Sequence, residues 1–202
     1  MRSIKPYLIL LLLTSAYILY SCKESKEFNE YANWRARNSQ FVDSLAQVAD
    51  INSLESGLFR VVSFKLDSTK SWGNNSYVYC KILTKGNSDI SPLYTDSIRM
   101  NYRVRLIPTT NYPMGRVMDQ SYKTATLNEE VNLPASFAVA GLIDGMVTAL
   151  QRMHVGDYWR IYIPYSLGYG TSTTSDIPAY STLIYDVNLT EVARIGESLS
   201  PR

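Results

Sequence analysis

Few side chains in this 202-residue sequence could do acid-base or nucleophilic chemistry. Its one histidine, His154, follows an apolar stretch and stands beside a turn glycine, which is typical of a solvated residue at a helix end. A Ser-His-Asp or Cys-His arrangement needs a histidine that accepts the proton of the nucleophile, so neither is indicated. Carboxylates are scattered and their spacing identifies no acid-base pair; they include Asp96, Asp119, Asp144, Asp157, Asp176 and Asp186.

Metal, nucleotide and nucleic-acid sites of the familiar kinds are not indicated either. Two cysteines and one histidine are too few for a zinc cluster of the usual Cys/His spacing. No Gly-Lys-Ser/Thr follows the stretch Gly168-Tyr169-Gly170, so it is not a phosphate loop. Without Arg2 and Lys5, which lie in the export signal described next, 18 basic residues balance 18 acidic ones. A nucleic-acid binder needs a clear basic excess, so we predict no cofactor, no metal and no nucleic-acid partner.

The first 21 residues have the composition of a bacterial export signal. A basic start precedes an apolar run over residues 7–20, which is shorter than the roughly 20 residues of a spanning helix. The run ends in Leu-Tyr-Ser-Cys and so resembles the lipobox, where cleavage precedes a cysteine that is then lipidated. We predict lipidation of Cys22 and anchoring in the bacterial cell envelope, with the outer membrane favoured over the inner. An uncleaved signal anchor is the alternative.

A tether and one amphipathic helix are predicted next. Residues 23–30 are charged and polar, and from Tyr31 to Val48 the apolar residues recur every three or four positions. This helix either docks on its own domain or forms a homodimer through residues 31–48. Turn-forming residues over 52–57 are expected to end it.

Beyond residue 57 the pattern changes to short strands and one more helix. The helix is predicted over Gly141–Met153, with an apolar stripe that would pack on a sheet. Cys80 lies in a strand-like run and, with Cys22 lipidated, has no disulfide partner, so we expect it to be buried. Because most strands precede the helix and two follow it, we predict an α+β domain with an antiparallel sheet. The predicted strands are 58–64, 77–84, 97–107, 128–133, 158–164 and 181–192.

The second half of the chain carries an ordered series of motifs. They are Gly145-Met146, Met153, Gly156, Ile161, Ile163-Pro164, Tyr169-Gly170, Ile177-Pro178 and Leu183-Ile184-Tyr185-Asp186-Val187. In this order they resemble the FKBP-type peptidyl-prolyl cis-trans isomerases. Upstream, Tyr102 and the Met-Asp-Gln-Ser of residues 118–121 are similar to the family's Tyr strand and its Phe-Asp-x-Ser. The resemblance covers about residues 90–193.

The resemblance implies a curved antiparallel sheet wrapped around one short helix, preceded here by the amphipathic helix, with an aromatic pocket between sheet and helix. It implies isomerisation of X-Pro bonds in exported proteins. The implied partners are proline-containing unfolded or folding polypeptides and macrolides such as rapamycin. The catalytic residues carried over are Asp119, Tyr169 and Ile177. The substrate-binding residues carried over are Tyr102, Met118, Leu142, Ile143, Met146 and Tyr185.

Three positions depart from the family's pattern. The Phe that usually precedes the aspartate is Met118, the helix Trp is Met146, and the aromatic of the preceding strand aligns best with Val131. Pocket walls with fewer aromatic residues hold a proline ring less rigidly. A non-catalytic binding or chaperone module with a degraded pocket is therefore the alternative function. Two alternatives stay open: Tyr102 could be a core aromatic without a functional role, and Asp119 could do no more than cap a turn.

The sequence therefore predicts four segments. Because the family motifs begin after the amphipathic helix, we expect that helix to be separable from the site. The segments are a lipoprotein signal peptide over 1–21, a tether with the amphipathic helix over 22–52, an FKBP-type isomerase domain over 53–195 and a C-terminal tail over 196–202.

Overall fold

The computed structural model describes residues 29–51, 57–128, 131–174 and 176–201. The predicted signal peptide, Cys22, nearly all of the tether and most of the turn over 52–57 lie outside these residues. No helix among the described residues is long and apolar enough to span a bilayer.

The described part of the chain folds into two α-helices and seven strands. The helices are α1 (Trp34–Ile51) and α2 (Asp144–Leu150). The strands are β1 (Leu58–Val62), β2 (Tyr77–Thr84), β3 (Ser97–Leu106), β4 (Val117–Gln120), β5 (Ala135–Ala138), β6 (Tyr158–Ile163) and β7 (Leu183–Ala193).

All strand pairs run antiparallel in one sheet, in the order β1-β2-β6-β7-β3-β4, and β5 pairs with the first half of β3. The long central strands β3 and β7 pair over ten positions, from Ser97 opposite Ala193 to Leu106 opposite Leu183. Side chains alternate between the two faces of a strand, so the apolar residues that alternate along β3 reach one face together. The predicted α+β class with an antiparallel sheet is confirmed.

Helix α2 covers one face of the sheet and is shorter than the helix predicted over Gly141–Met153. Val139–Gly141 form a 3-10 turn and Ile143 is extended, so the α-helix begins only at Asp144. Every residue from Gly145 to Leu150 is buried. Gly145 is needed for this close packing, because a Cβ there would lie 2.3 Å from Cγ2 of Ile163.

Helix α1 docks on its own domain, which is one of the two arrangements predicted for it. Val42 and Ala46 pack in a buried cluster with Leu58 and Tyr79 of the first two strands. Homodimerisation through residues 31–48 stays a prediction.

The strands predicted from the sequence need correction in two respects. The strand predicted over 128–133 is wrong, because its described residues form a turn in which the amides of Val131 and Asn132 bond to the carbonyl of Asn128. Strands β4 and β5 were not predicted. Each has only four residues, and both depend on pairing with the distant β3.

Cys80 is buried at the centre of β2, as predicted. Burial raises the pKa of its thiol above the ordinary value, so the group is protonated at neutral pH and inert.

Candidate active site

A pocket of about 230 Å³ lies between α2 and the part of the sheet that holds β3 and β7. Strands β3, β4, β5 and β7 supply one side, and α2 with the segment before it supplies the other. Its lining consists of Met100, Tyr102, Asp119, Phe137, Gly141, Leu142, Ile143, Met146, Tyr169 and Tyr185.

Three aromatic rings form the wall that the sheet contributes. Tyr102 is paired with Val187 and Tyr185 with Val104, so the two tyrosines are diagonal neighbours on one face. Their ring centroids are 6.4 Å apart. Phe137 of β5 meets the Tyr102 ring edge-on, with centroids 5.6 Å apart. Such a wall is apolar over most of its area and can hold a flat or ring-shaped group.

The polar edge of the pocket is a tyrosine–aspartate pair. The hydroxyl of Tyr102 donates a hydrogen bond of 2.6 Å to Oδ2 of Asp119, and the other carboxylate oxygen accepts the Gln120 amide at 2.8 Å. Burial first, and then the hydrogen bond and charge of Asp119, raise the pKa of Tyr102 above its ordinary value. The phenol therefore stays protonated at neutral pH and fixes the carboxylate at the rim.

Tyr169 stands at the mouth of the pocket on a tight turn. Its side chain is 42% exposed. Gly170 follows with φ of +70°, and its amide bonds back to the carbonyl of Tyr165 at 2.8 Å; an L side chain rarely adopts that backbone conformation. Burial and then the nearby Tyr169 raise the pKa of Tyr185 deeper in the pocket, so a neutral hydroxyl is present there.

The floor is apolar. Met146 of α2 is 1% exposed, and Leu142 and Ile143 precede it in the extended segment that leads into the helix. A thioether floor adapts its shape to what lies on it.

The pocket brings together most of the residues predicted for the site. Seven of those nine line it: Tyr102, Asp119, Leu142, Ile143, Met146, Tyr169 and Tyr185. Met118 does not; it is half-buried and packs against the main core. Ile177 is likewise half-buried against the core, and its amide donates to Oγ1 of Thr174 at 3.3 Å.

The alignment of the missing aromatic with Val131 is wrong. Val131 is 64% exposed in the turn after residue 128. Phe137 supplies the aromatic wall in its place. A lone Phe between small residues in Ala-Ser-Phe-Ala is a weak strand signal, and its pairing with Ile98 of β3 reveals its place.

The pocket is suited to binding and not to proton transfer by histidine. His154 is not part of the lining, and the described residues hold no group of three or more His, Cys, Asp or Glu that could bind a metal ion. What the lining offers is apolar surface, tyrosine hydroxyls and one carboxylate.

The segment behind the mouth of the pocket is held by α1. Nε1 of Trp34 donates to Oγ of Ser181 at 2.9 Å, and that hydroxyl donates to the carbonyl of Pro178 at 2.6 Å. Oδ1 of Asn38 accepts the Thr182 amide at 2.7 Å. These contacts argue against the expectation that α1 is separable from the site.

A family model described as FKBP-type peptidyl-prolyl cis-trans isomerase matches residues 89–190. The chain is 31% identical over 159 residues to the FKBP-type 22 kDa peptidyl-prolyl cis-trans isomerase of Escherichia coli. The alignment covers 78% of this chain and 60% of that protein. It is 28% identical over 174 residues to the outer membrane protein MIP of Legionella longbeachae, covering 85% of this chain and 60% of that one. The chain thus spans about 60% of the length of these two relatives.

A solved peptidyl-prolyl cis-trans isomerase from Pseudomonas syringae has the same fold. The TM-score is 0.53 at 21% identity, over 78% of this chain and 96% of that one.

Proposed function

This chain belongs to the FKBP-type peptidyl-prolyl cis-trans isomerase family, and we propose that it isomerises X-Pro bonds of exported polypeptides. The observation that carries the proposal is the pocket, whose three aromatic rings surround an apolar floor while a Tyr102–Asp119 pair stands at the rim. A proline ring fits such a pocket, and the bond to be rotated then lies beside the polar edge.

The barrier to rotation comes from amide resonance, which is lost in the twisted state and amounts to about 18–20 kcal/mol. An apolar pocket disfavours the charge-separated planar amide, and walls that complement the twisted form bind it more tightly than the ground state. No nucleophile is needed.

The proposed roles follow from position. Met146 lies under the proline ring, and the Tyr169 hydroxyl, at the exposed mouth, donates to a substrate carbonyl. Asp119 faces the twisting amide, held in place by the Tyr102 hydroxyl. The Ile177 amide would donate to a second substrate carbonyl. To do so, it would have to release its hydrogen bond to Oγ1 of Thr174.

The test is a coupled assay of X-Pro isomerisation with the full chain in a non-ionic detergent. Tyr169→Phe removes one neutral hydrogen bond, so we expect kcat/KM to fall several-fold, equivalent to roughly 0.5–1.5 kcal/mol. Asp119→Ala should lower it at least as much. Tyr112→Phe and Asp89→Ala, at exposed positions outside the pocket, are the matched controls. Rapamycin should inhibit the parent by occupying the pocket.

A binding module on the same fold is the second candidate. It is favoured by the small pocket and by the Ile177 amide, which already has an acceptor within the chain. A parent without isomerase activity on several X-Pro peptides would favour this alternative over catalysis. Tyr169 and Asp119 variants as active as the parent would contradict the roles proposed for these two residues.

We further propose that the mature protein is anchored to the bacterial envelope by a lipid on Cys22. The lipobox-like sequence supports this, as does the name of the Legionella relative, an outer membrane protein. Cys22→Ser should release the protein from the membrane fraction or stall its processing, and unchanged retention with normal maturation would contradict the proposal. The proposed segments are 1–21 as signal peptide, 22–52 as tether and helix, 53–195 as isomerase domain and 196–202 as tail.

A further inference from the structure

A second and larger concavity lies at the other end of α2. Its volume is about 670 Å³, against about 230 Å³ for the pocket. It opens between the residues that follow α2 and strands β1, β2 and β6. We call it the basic cleft, and the residues that define it are Phe59, Lys85, Arg152, His154, Asp157 and Trp159.

The floor of the basic cleft is aromatic. Phe59 and Trp159 meet edge-on with centroids 5.3 Å apart. Trp159 is 4% exposed, and within the described part of the chain its buried Nε1 atom has no hydrogen-bond acceptor. A buried donor without an acceptor is uncommon in folded proteins, and the carbonyl of a ligand against the indole would supply one.

The rim of the basic cleft is positive. Lys85 and Arg152 are exposed, and their side chains make no hydrogen bond or ion pair with any described residue. Asp157, the carboxylate of the cleft, is buried and already accepts the amides of Gly86 at 2.7 Å and His154 at 2.8 Å. Its two oxygens are therefore occupied by backbone amides, while within the described part of the chain neither Lys85 nor Arg152 is paired with a carboxylate.

We propose that the basic cleft binds an extended polypeptide segment in which an acidic side chain adjoins an aromatic one. The aromatic side chain would lie on Phe59 and Trp159, and the carboxylate would meet Lys85 and Arg152. A smooth anionic surface would satisfy the two cations but would leave the aromatic floor uncovered, which favours a peptide.

The position of the cleft suits a polypeptide that also reaches the pocket. Leu142 and Ile143 of the pocket precede α2, whereas Arg152 and His154 of the cleft follow it. The seven residues of α2 span roughly 10 Å, a distance that three or four extended residues cover. Binding at the cleft does not rest on isomerase activity.

The first experiment measures the fluorescence anisotropy of two labelled peptides without proline, Ala-Glu-Phe-Glu-Phe-Ala and its Gln counterpart, with the full chain in non-ionic detergent. The acidic peptide should bind more tightly, and added salt should weaken it. Lys85→Gln combined with Arg152→Gln should weaken it roughly three- to tenfold. The matched control pairs Lys81→Gln with Lys123→Gln, at exposed positions outside the cleft, and should bind like the parent.

The second experiment follows the indole N–H resonances of the three tryptophans after selective ¹⁵N labelling, with Trp159→Phe for assignment. Trp34 and Trp72 already donate to Ser181 and Asp67 at 2.9 Å. When the acidic peptide is added, the indole N–H resonance of Trp159 should therefore shift most. Equal affinity for both peptides, or no effect of the Lys85 and Arg152 changes, would overturn the proposal.

Two other outcomes would also overturn the proposal. One is binding that Met146→Ala abolishes while the fold is intact, because the peptide would then occupy the pocket. The other is binding of anionic phospholipid vesicles, but not the peptide, through the same two cations. A chain that binds the acidic peptide at the cleft yet isomerises no X-Pro bond would refute only the proposed catalysis.

Discussion

Replacing Asn38 with Leu tests whether α1 supports the site or merely covers the sheet. Asn38 is 1% exposed and Thr182 is fully buried. The Asn38 amide group bonds to the Trp34 carbonyl at 2.8 Å and to the Thr182 amide at 2.7 Å. Leu has a similar volume, so packing changes little while both hydrogen bonds are lost.

The expected loss of stability follows from these two bonds. Leaving the buried Thr182 amide without an acceptor costs about 1–3 kcal/mol, and the lost bond to the Trp34 carbonyl adds about 0.5–1.5 kcal/mol. The sum of about 1.5–4.5 kcal/mol lowers Tm by roughly 3–18 °C for a domain of this size. Gln47→Leu removes an exposed amide from the same helix and should change stability by less than about 0.5 kcal/mol.

The effect should extend to the site. Thr182 and Ser181 are held by α1, and the adjoining Tyr180 amide bonds to the carbonyl of Gly170, which follows Tyr169. Measured well below the Tm of the variant, KM should therefore rise more than kcat falls. A lower Tm with unchanged kinetic constants would show that α1 only stabilises the fold, and a Tm shift no larger than that of Gln47→Leu would refute the reasoning altogether.

Three further outcomes are expected. Asp186→Ala leaves the side chains of Arg105 and Arg160, which are 10% and 33% exposed, without their carboxylate partner. The free energy of unfolding, measured with denaturant, should fall by roughly 3–5 kcal/mol. Gly145→Ala puts a Cβ 2.3 Å from Ile163 and should lower the free energy of unfolding by about 1–3 kcal/mol. The same change should displace the pocket floor, which would be measured as weaker inhibition by rapamycin. Burial, and then the charge of Asp186, raises the pKa of Tyr158 to about 12, so the stability from its neutral phenol is complete below pH 10 and lost as pH rises through 12. Tyr158→Phe should flatten the fall of Tm over that interval, and an unchanged slope would contradict this.

The sequence predicted best the elements whose side chains repeat with a strong period. Helix α1 and strand β3 lie where their periods predict them, within a few residues at each end. Strands β4 and β5 have four residues each and no such period, because pairing with β3 and not local preference forms them. The assignment of Val131 in place of Phe137 has the same cause.

The site was predictable as a set of residues but not as a geometry. Motif order identifies Tyr102, Asp119 and Tyr169, which the fold brings into one pocket. The acceptor of the Ile177 amide depends on the exact course of the loop from residue 170 to 182, which no residue pattern states. Asn38 was a clue, because a polar residue within an apolar helical stripe is usually buried with its hydrogen bonds made; it meets the Thr182 amide.

The titratable groups of the pocket agree with a reaction that moves no proton. Burial raises the pKa of Tyr102 and of Tyr185, so both hydroxyls stay neutral through the physiological range, and that of Tyr102 donates to Asp119. His154 lies instead in the basic cleft. Rotation about an amide bond needs a surface that prefers the twisted form and donors that hold the flanking carbonyls. A pocket of aromatic rings with neutral hydroxyls at its edges offers both, and this is why a chain with one histidine can carry the proposed activity.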